Sequence, residues 1–290
     1  MAGTTLIALK RRLKTVKSTR KITMAMGLVA TSKYQRARIL LTGNTAHYES
    51  FSEIVNEILN SIPPTEETPG LFLQSPNPQA RRLYLMLNSD KGLVGGYNSS
   101  LAHEAIAIIA QESKEPLILT TGYRGTAPIN EHLEAGSLKE FPLGDLPGPR
   151  EAALLLRDPL ELYRTGQVSE VRIIYNHYLS ALRDEIRVET LLPFARPRRE
   201  SDEIAARFDF DPDPAMMQDQ ILGMYLKEKM YHMLLHAKTV EHSTRMKAMD
   251  SANKNADDIL RDLSRQLNRL RQSVITQEIT EIIGGAEALK

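Results

Sequence analysis

Leu6, Leu9, Leu13 and Val16 recur at steps of three and four, and Ala30, Ala37 and Leu41 extend a stripe of small or apolar residues around Tyr34. This spacing lines one face of a helix. Ile54, Ile58 and Leu59 close the run, and the two prolines of SIPPTEETPG end it by removing backbone donors. The pattern predicts one helix over roughly 3–60. Inside it, KITMAMGLVATSKY is different: Ile22, Met24, Met26, Leu28 and Val29 point in several directions. A helix that is apolar nearly all round needs protein around it.

From about 76 to 195 the period changes. RRLYLMLNSD, EPLILTTG, SEVRIIYNHYLS and DEIRVETLLP are short β-rich runs bounded by Pro, Gly or charge. Helical patterns lie between them at 99–112, about 123–133, and 150–164. Strands alternating with helices predict a small α/β sheet covered on both faces, with the last two strands close enough to form a hairpin. The stretch ARPRRESDEIAARFDFDPDP then reads as an acidic, exposed loop. From Ala215 onward there is no proline. Met249, Ala252, Ala256, Ile259, Leu263, Leu267, Leu270 and Val274 keep the three-four spacing of a coiled-coil seam.

Two long seamed helices at opposite ends of one chain are most simply paired antiparallel. The expected fold is therefore mixed α+β: a long antiparallel two-helix coiled coil with a small central Rossmann-like α/β domain. The expected division is a helix over 1–62, the α/β domain over 76–195, a foot loop over 196–214 and the second helix over 215–290. The C-terminal helix is the longer, so its last turns should overshoot their partner.

Charge sharpens the picture. Residues 1–48 carry ten Lys or Arg and no Asp or Glu, although the formal net charge of the chain is only +1. A basic arm points to an acidic partner. The basic N-terminus could pass for a transit peptide, but its helical pattern continues for another thirty residues, so it reads as mature structure. With no cysteine there is no disulfide framework or thiolate metal site. No apolar run approaches the ~20 residues that span a bilayer.

Three segments, KITMAMGLVATSKYQRA, NSDKGLVGGYNSSL and RMKAMDSANKNADDIL with LNRLRQSVITQEITEIIGGAEAL, resemble the gamma subunits of rotary F-type ATP synthases. The likeness runs in the right order over essentially the whole chain, and the C-terminal motif is the most specific part. The sequence departs from the family pattern at Met24, Gly27 and Val94. The resemblance implies a central stalk without catalytic residues, metal or cofactor. Its expected partners are a hexameric ring of alpha and beta subunits, an epsilon subunit and a c-ring, with no nucleic acid and contact to the membrane only through the c-ring. It further implies a peripheral location on the cytoplasmic face of a bacterial cell membrane. Met26, Arg245, Arg271, Gln272 and Thr276 match segments that contact the beta subunit. Ile275, Ile279 and Ile282 match a bearing at the helix tip, and Phe208, Asp209, Phe210 and Asp211 a foot against the c-ring and epsilon.

Without the resemblance, each of these residues has a plainer reading. Arg245 would be a solvated helix charge. Arg271, Gln272 and Thr276 would be ordinary helix surface, and Phe208–Pro214 a turn with capping Asp residues. Gly92, Gly95 and Gly96 match neither G-x-G-x-x-G nor a Walker loop, so they read as turn glycines. In HMLLH, His232 and His236 sit at metal-ligand spacing, but no third ligand is evident. Asn98-Ser99-Ser100 matches a glycosylation acceptor in a chain with no secretory signal. Two other classes fit parts of the chain: a basic coiled coil binding nucleic acid through 10–38, and an α/β enzyme with helical arms. The first predicts steeply salt-dependent DNA binding, the second turnover by the middle region.

Overall fold

The computed structural model describes residues 2–61, 70–132, 138–195 and 214–288. The described elements are α1 (Ala2–Ser61), β1 (Arg81–Met86), α2 (Tyr97–Ile109), β2 (Leu117–Thr120), α3 (Ala127–Asn130), β3 (Leu138–Glu140), α4 (Pro149–Arg164), β4 (Val168–Tyr178), β5 (Asp184–Leu192) and α5 (Pro214–Ala288). They fall into two compact units, Met1–Ala30 with Arg245–Lys290, and Thr31–Thr244.

The first unit is a helix pair. On α1 the residues turned inward are Leu6, Leu9, Leu13, Val16, Arg20, Thr23, Gly27 and Ala30; on α5 they are Met249, Asn253, Ala256, Leu260, Leu263, Leu267, Leu270 and Val274. Both series alternate steps of three and four without a break, the 3.5-residue period of a left-handed coiled coil. Arg20 meets Asp257, Thr23 meets Asn253, and Gly27 lies against Met249, so the helices run antiparallel. Two expected seam residues shift by one here, Ala252 giving way to Asn253, which bonds Thr23 across the pair. Ile259 is 43% exposed, and its neighbour Leu260 takes the inward position. Keeping the 3.5 period requires four residues, not three, between Ala256 and the next knob.

The second unit is a five-stranded sheet in the order β3-β2-β1-β4-β5. β1 pairs in parallel with both β2 and β4, β2 with β3, and β5 closes the sheet as the antiparallel hairpin partner of β4. Alternation along β1 divides the core. Leu83, Leu85 and Leu87 face one side, where Leu155, Leu156 and Tyr163 of α4, Val55 and Leu59 of α1, and Leu222, Leu226, Met230 and Leu234 of α5 pack. Tyr84 and Met86 face the other side, against Leu101, Ala102 and Ala105 of α2. The sheet is thus covered on both faces, as its parallel strands β1 to β4 require.

Local chemistry sets the element ends. Pro149 opens α4 at the first helical position, where a missing N–H costs nothing, and the Gly148 N–H donates to Glu151 Oε2 at 2.9 Å. After β1 the chain turns sharply, with Gly95 at φ 55 and Leu93 at φ 61. A left-handed leucine is strained, and no turn-forming residue type marks the position in advance. Gly122 is held by a close approach: a Cβ there would sit 2.5 Å from the Ser89 carbonyl carbon. At the close of α1, Val55 is buried and Ile54 is mostly exposed, a second one-residue correction to the expected stripe. The expected helix over about 123–133 is reduced to a 3-10 turn at Tyr123–Gly125 and the single turn of α3. β3, only three residues long, has no periodic signal to detect.

Candidate functional site

In the helix pair, apolar surface lies on two sides of α1. The seam buries one face, while Ile22, Met24, Leu28 and Val29 are each more than half exposed, and Met26 is half-buried. The seam at this level is polar. Arg20 Nε lies 2.7 Å from Asp257 Oδ1, and Thr23 Oγ1 donates to Asn253 Oδ1 at 2.5 Å. Both members of the ion pair are about two-fifths exposed, so it contributes at most ~1 kcal/mol. Its geometry selects register, because sliding either helix by one turn would break the Arg20–Asp257 and Thr23–Asn253 pairs together.

Arg245 is only 7% exposed, so it is not the solvated helix charge that its chemistry alone would give. Arg271, Gln272 and Thr276 are exposed. The Thr276 hydroxyl donates to the Gln272 carbonyl at 2.9 Å, which places these two on one face and leaves the hydroxyl oxygen free to accept. Ile275, Ile279, Ile282 and Ile283 follow, all substantially exposed, with Ile282 at 71%. Phe208, Asp209, Phe210 and Asp211 lie outside the described residues.

The α/β unit holds two polar nodes, the first of them missed by sequence reasoning. Asp145, in the loop before α4, accepts from Lys33 Nζ of α1 at 2.5 Å and from Lys91 Nζ of the loop after β1 at 2.8 Å. Its backbone carbonyl lies 2.9 Å from His242 Nε2 of α5. Partial burial alone would raise this carboxyl's pKa; the two ammonium groups outweigh it and hold the group well below the ordinary range. One residue, through its carboxylate and its carbonyl, thereby ties four segments together. No sequence signal marks it, since Lys33 and Asp145 are separated by 112 positions.

The second node contains His232 and His236. Their Nε2 atoms lie 3.1 Å apart, so the two rings do meet, but as a hydrogen-bonded pair. Among the described residues no group of three or more His, Cys, Asp or Glu is arranged to hold a metal. Around them α5 is buried on every side from Met233 to Ser243, and Lys238 pairs with Glu241 at 2.8 Å within that stretch.

An antiparallel helix pair drawn from the two ends of a chain and a doubly covered α/β unit drawn from its middle define a mixed α+β class of protein. The family model described as ATP synthase matches residues 5–289. The chain is 37% identical over 291 residues to the ATP synthase gamma chain of Clostridium acetobutylicum, covering 100% of both, and 38% identical over 289 residues to that of Clostridium novyi, covering 99% of both. It belongs to the ATP synthase gamma chain family. Its fold is also similar to a chain in the mitochondrial ATP synthase OSCP/F1/c-ring structure of Euglena gracilis, with TM-score 0.71, 15% identity, and coverage of 99% of this chain and 95% of that one. A chain in the central stalk/c-ring structure of the Tetrahymena thermophila mitochondrial ATP synthase gives TM-score 0.59 and 21% identity, covering 80% of this chain and 99% of that one. No helix among the described residues is long and apolar enough to cross a membrane.

Proposed function

We propose that this chain is the central rotor shaft of an F-type ATP synthase, carrying torque between an ion-driven c-ring and a catalytic ring of alpha and beta subunits, and that it catalyses nothing itself. The observation that carries the reading is the double-sided apolar character of α1: a heptad seam on one face, and Ile22, Met24, Leu28 and Val29 exposed on others. Four such side chains, each worth about 1.5–3 kcal/mol when fully buried, call for an enclosing partner. A ring supplies one. Each charge that crosses the membrane delivers about 2.3 kcal/mol per 100 mV, and a seam with polar layers that resist sliding suits a shaft that must sum several such steps.

Within this reading the working divisions are a helix over 1–62, the α/β domain over 76–195, the foot over 196–214 and the second helix over 215–290. Arg271, Gln272 and Thr276, exposed on α5, contact the beta subunit directly. Met26 and Arg245 belong to the same coupling region, but Arg245, already buried, acts by fixing the helix or by swinging out as the ring changes state. Ile275, Ile279 and Ile282 form a greasy bearing at the tip. Phe208, Asp209, Phe210 and Asp211 meet the c-ring and the epsilon subunit. The chain sits peripherally on the cytoplasmic face of the cell membrane, attached through the c-ring.

Co-expression with alpha and beta subunits tests the reading. A complex with ATPase activity is expected. In it, Arg245→Glu should lower activity by tenfold or more, whereas deleting residues 285–290 should lower it less than about threefold, since the final turns carry little torque. Equal and complete loss from both changes would contradict this division into shaft and tip.

A further inference from the structure

The histidine node of the α/β unit contains a hydrogen-bond chain with only one consistent direction. The Tyr178 backbone N–H donates to His236 Nδ1 at 3.1 Å, so that nitrogen carries no proton and Nε2 does. His236 Nε2–H then donates to His232 Nε2 at 3.1 Å, which leaves the His232 proton on Nδ1. That N–H donates to Asn44 Oδ1 at 2.8 Å, and Asn44 Nδ2 donates to Glu228 Oε1 at 2.5 Å. The chain begins on β4, passes twice through α5, crosses to α1 and ends on a carboxylate of α5. Both imidazoles are neutral, and every proton in the row is assigned.

We propose that this row is an acid-sensitive lock, holding α1 and β4 to α5 within the α/β unit and opening when either histidine takes up a proton. A proton on His236 would turn Nδ1 into a donor facing the Tyr178 N–H. A proton on His232 would turn Nε2 into a donor facing the His236 N–H. Each adds a buried donor-to-donor collision, the costly side of the hydrogen-bond balance.

The surroundings offer an imidazolium little compensation. From α1, His47 Nδ1 lies 3.3 Å from Glu228, sharing that carboxylate with Asn44, and the Tyr48 ring stacks on His232 at 4.3 Å. From β4, the His177 ring stacks on His236 at 3.9 Å, so a proton on one ring disfavours a proton on the other. On β5, Glu185 is engaged by Arg187, while Glu189 accepts from the Tyr175 hydroxyl and pairs with Lys229 of α5. Burial accordingly pushes His232 down to about 4 and His236 to about 2, and lowers His177 as well.

The sign follows directly. An opened or unfolded histidine protonates near 6.5, whereas the locked pair stays neutral well below that. The lock is therefore at full strength above pH 6.5 and weakens as pH falls from there toward 4. Two protons taken up on opening raise the opening constant by up to about 100-fold per pH unit in that window. The consequence for coupling, a rotor whose α/β unit loosens in acid, rests on the proposed rotor role; the lock itself does not.

Amide hydrogen exchange of the full chain assembled with alpha and beta subunits tests this, with rates corrected for the intrinsic effect of pH. Between pH 7.5 and 5.0, protection of residues 44–48 and 230–238 should fall by at least about tenfold, while residues 250–270 change little. In His232→Gln/His236→Asn, which keeps an acceptor for the Tyr178 N–H but cannot titrate, the fall should be less than about twofold. Should the double variant not assemble, His236→Asn alone should at least halve the wild-type effect on the logarithmic scale. Unchanged protection in the wild type, or an equal fall in the variant, overturns the lock. If no complex forms at pH 7.5, the rotor reading fails instead, and the same exchange on the full chain alone still reads the lock.

Discussion

Asp145 shows how much one side chain can organise. Its carboxylate joins α1 to the loop after β1, and its carbonyl lies within reach of His242 on α5. Asp145→Asn keeps the shape and removes the charge from two partly exposed ion pairs, so it should cost about 1–2 kcal/mol in urea unfolding. Because the folded carboxyl is held below its ordinary pKa of 3.8, its contribution is present above that value and disappears as pH falls through the folded pKa. The variant should therefore lose stability at pH 7 and show a shallower acid limb. An unchanged midpoint at pH 7 would mean that the two lysines are bystanders. None of this was legible in the sequence, because a hydrogen bond between residues more than a hundred positions apart leaves no periodic trace. The donor direction along His236 and His232 was hidden for the same reason: the spacing showed that the rings share a face, but only Tyr178 and Asn44 fix where the protons lie.

At the scale of elements, what was legible followed from repetition. The two long helices were evident because three-four spacing recurs over many turns, and β4 with β5 because β-rich runs lie a few residues apart. The errors are single steps, at Ile54 and Val55, at Ala252 and Asn253, and at Ile259 and Leu260. A strict 3.5 period chooses the second member of each pair, and the structure does too. Mutation separates the alternatives. Leu263, 4% exposed in the seam, should cost about 2–4 kcal/mol on truncation to Ala, whereas Ile259→Ala should stay within about 0.5 kcal/mol. Thermal melts of the assembled chain that reverse this order would refute the assigned seam. The part of α5 buried on all sides, Met233 to Ser243, carried no stripe to read, since its buried positions include His236, Lys238, Thr239, Glu241, His242 and Ser243 beside the apolar ones. Its role in the α/β core emerged only when the sheet was in place.

For the whole molecule, the sequence divides its charge unevenly: residues 1–48 are purely basic, and the acidic residues all come later. Together with the exposed apolar residues of α1 and the isoleucines near the end of α5, this charge places the partner-facing chemistry at both ends of the chain. The central claim is that the helix pair turns inside a ring while the ring's sites do the chemistry. The absence of native cysteine makes this directly measurable, because Leu182→Cys, at a position 85% exposed on the hairpin tip, gives a single labelling site. With the alpha and beta ring fixed to a surface and a bead attached at that cysteine, addition of ATP should produce continuous rotation in one direction that stops when ATP is removed. ATP hydrolysis at full rate by a complex that retains the labelled chain, with the bead showing only random motion, would contradict the account.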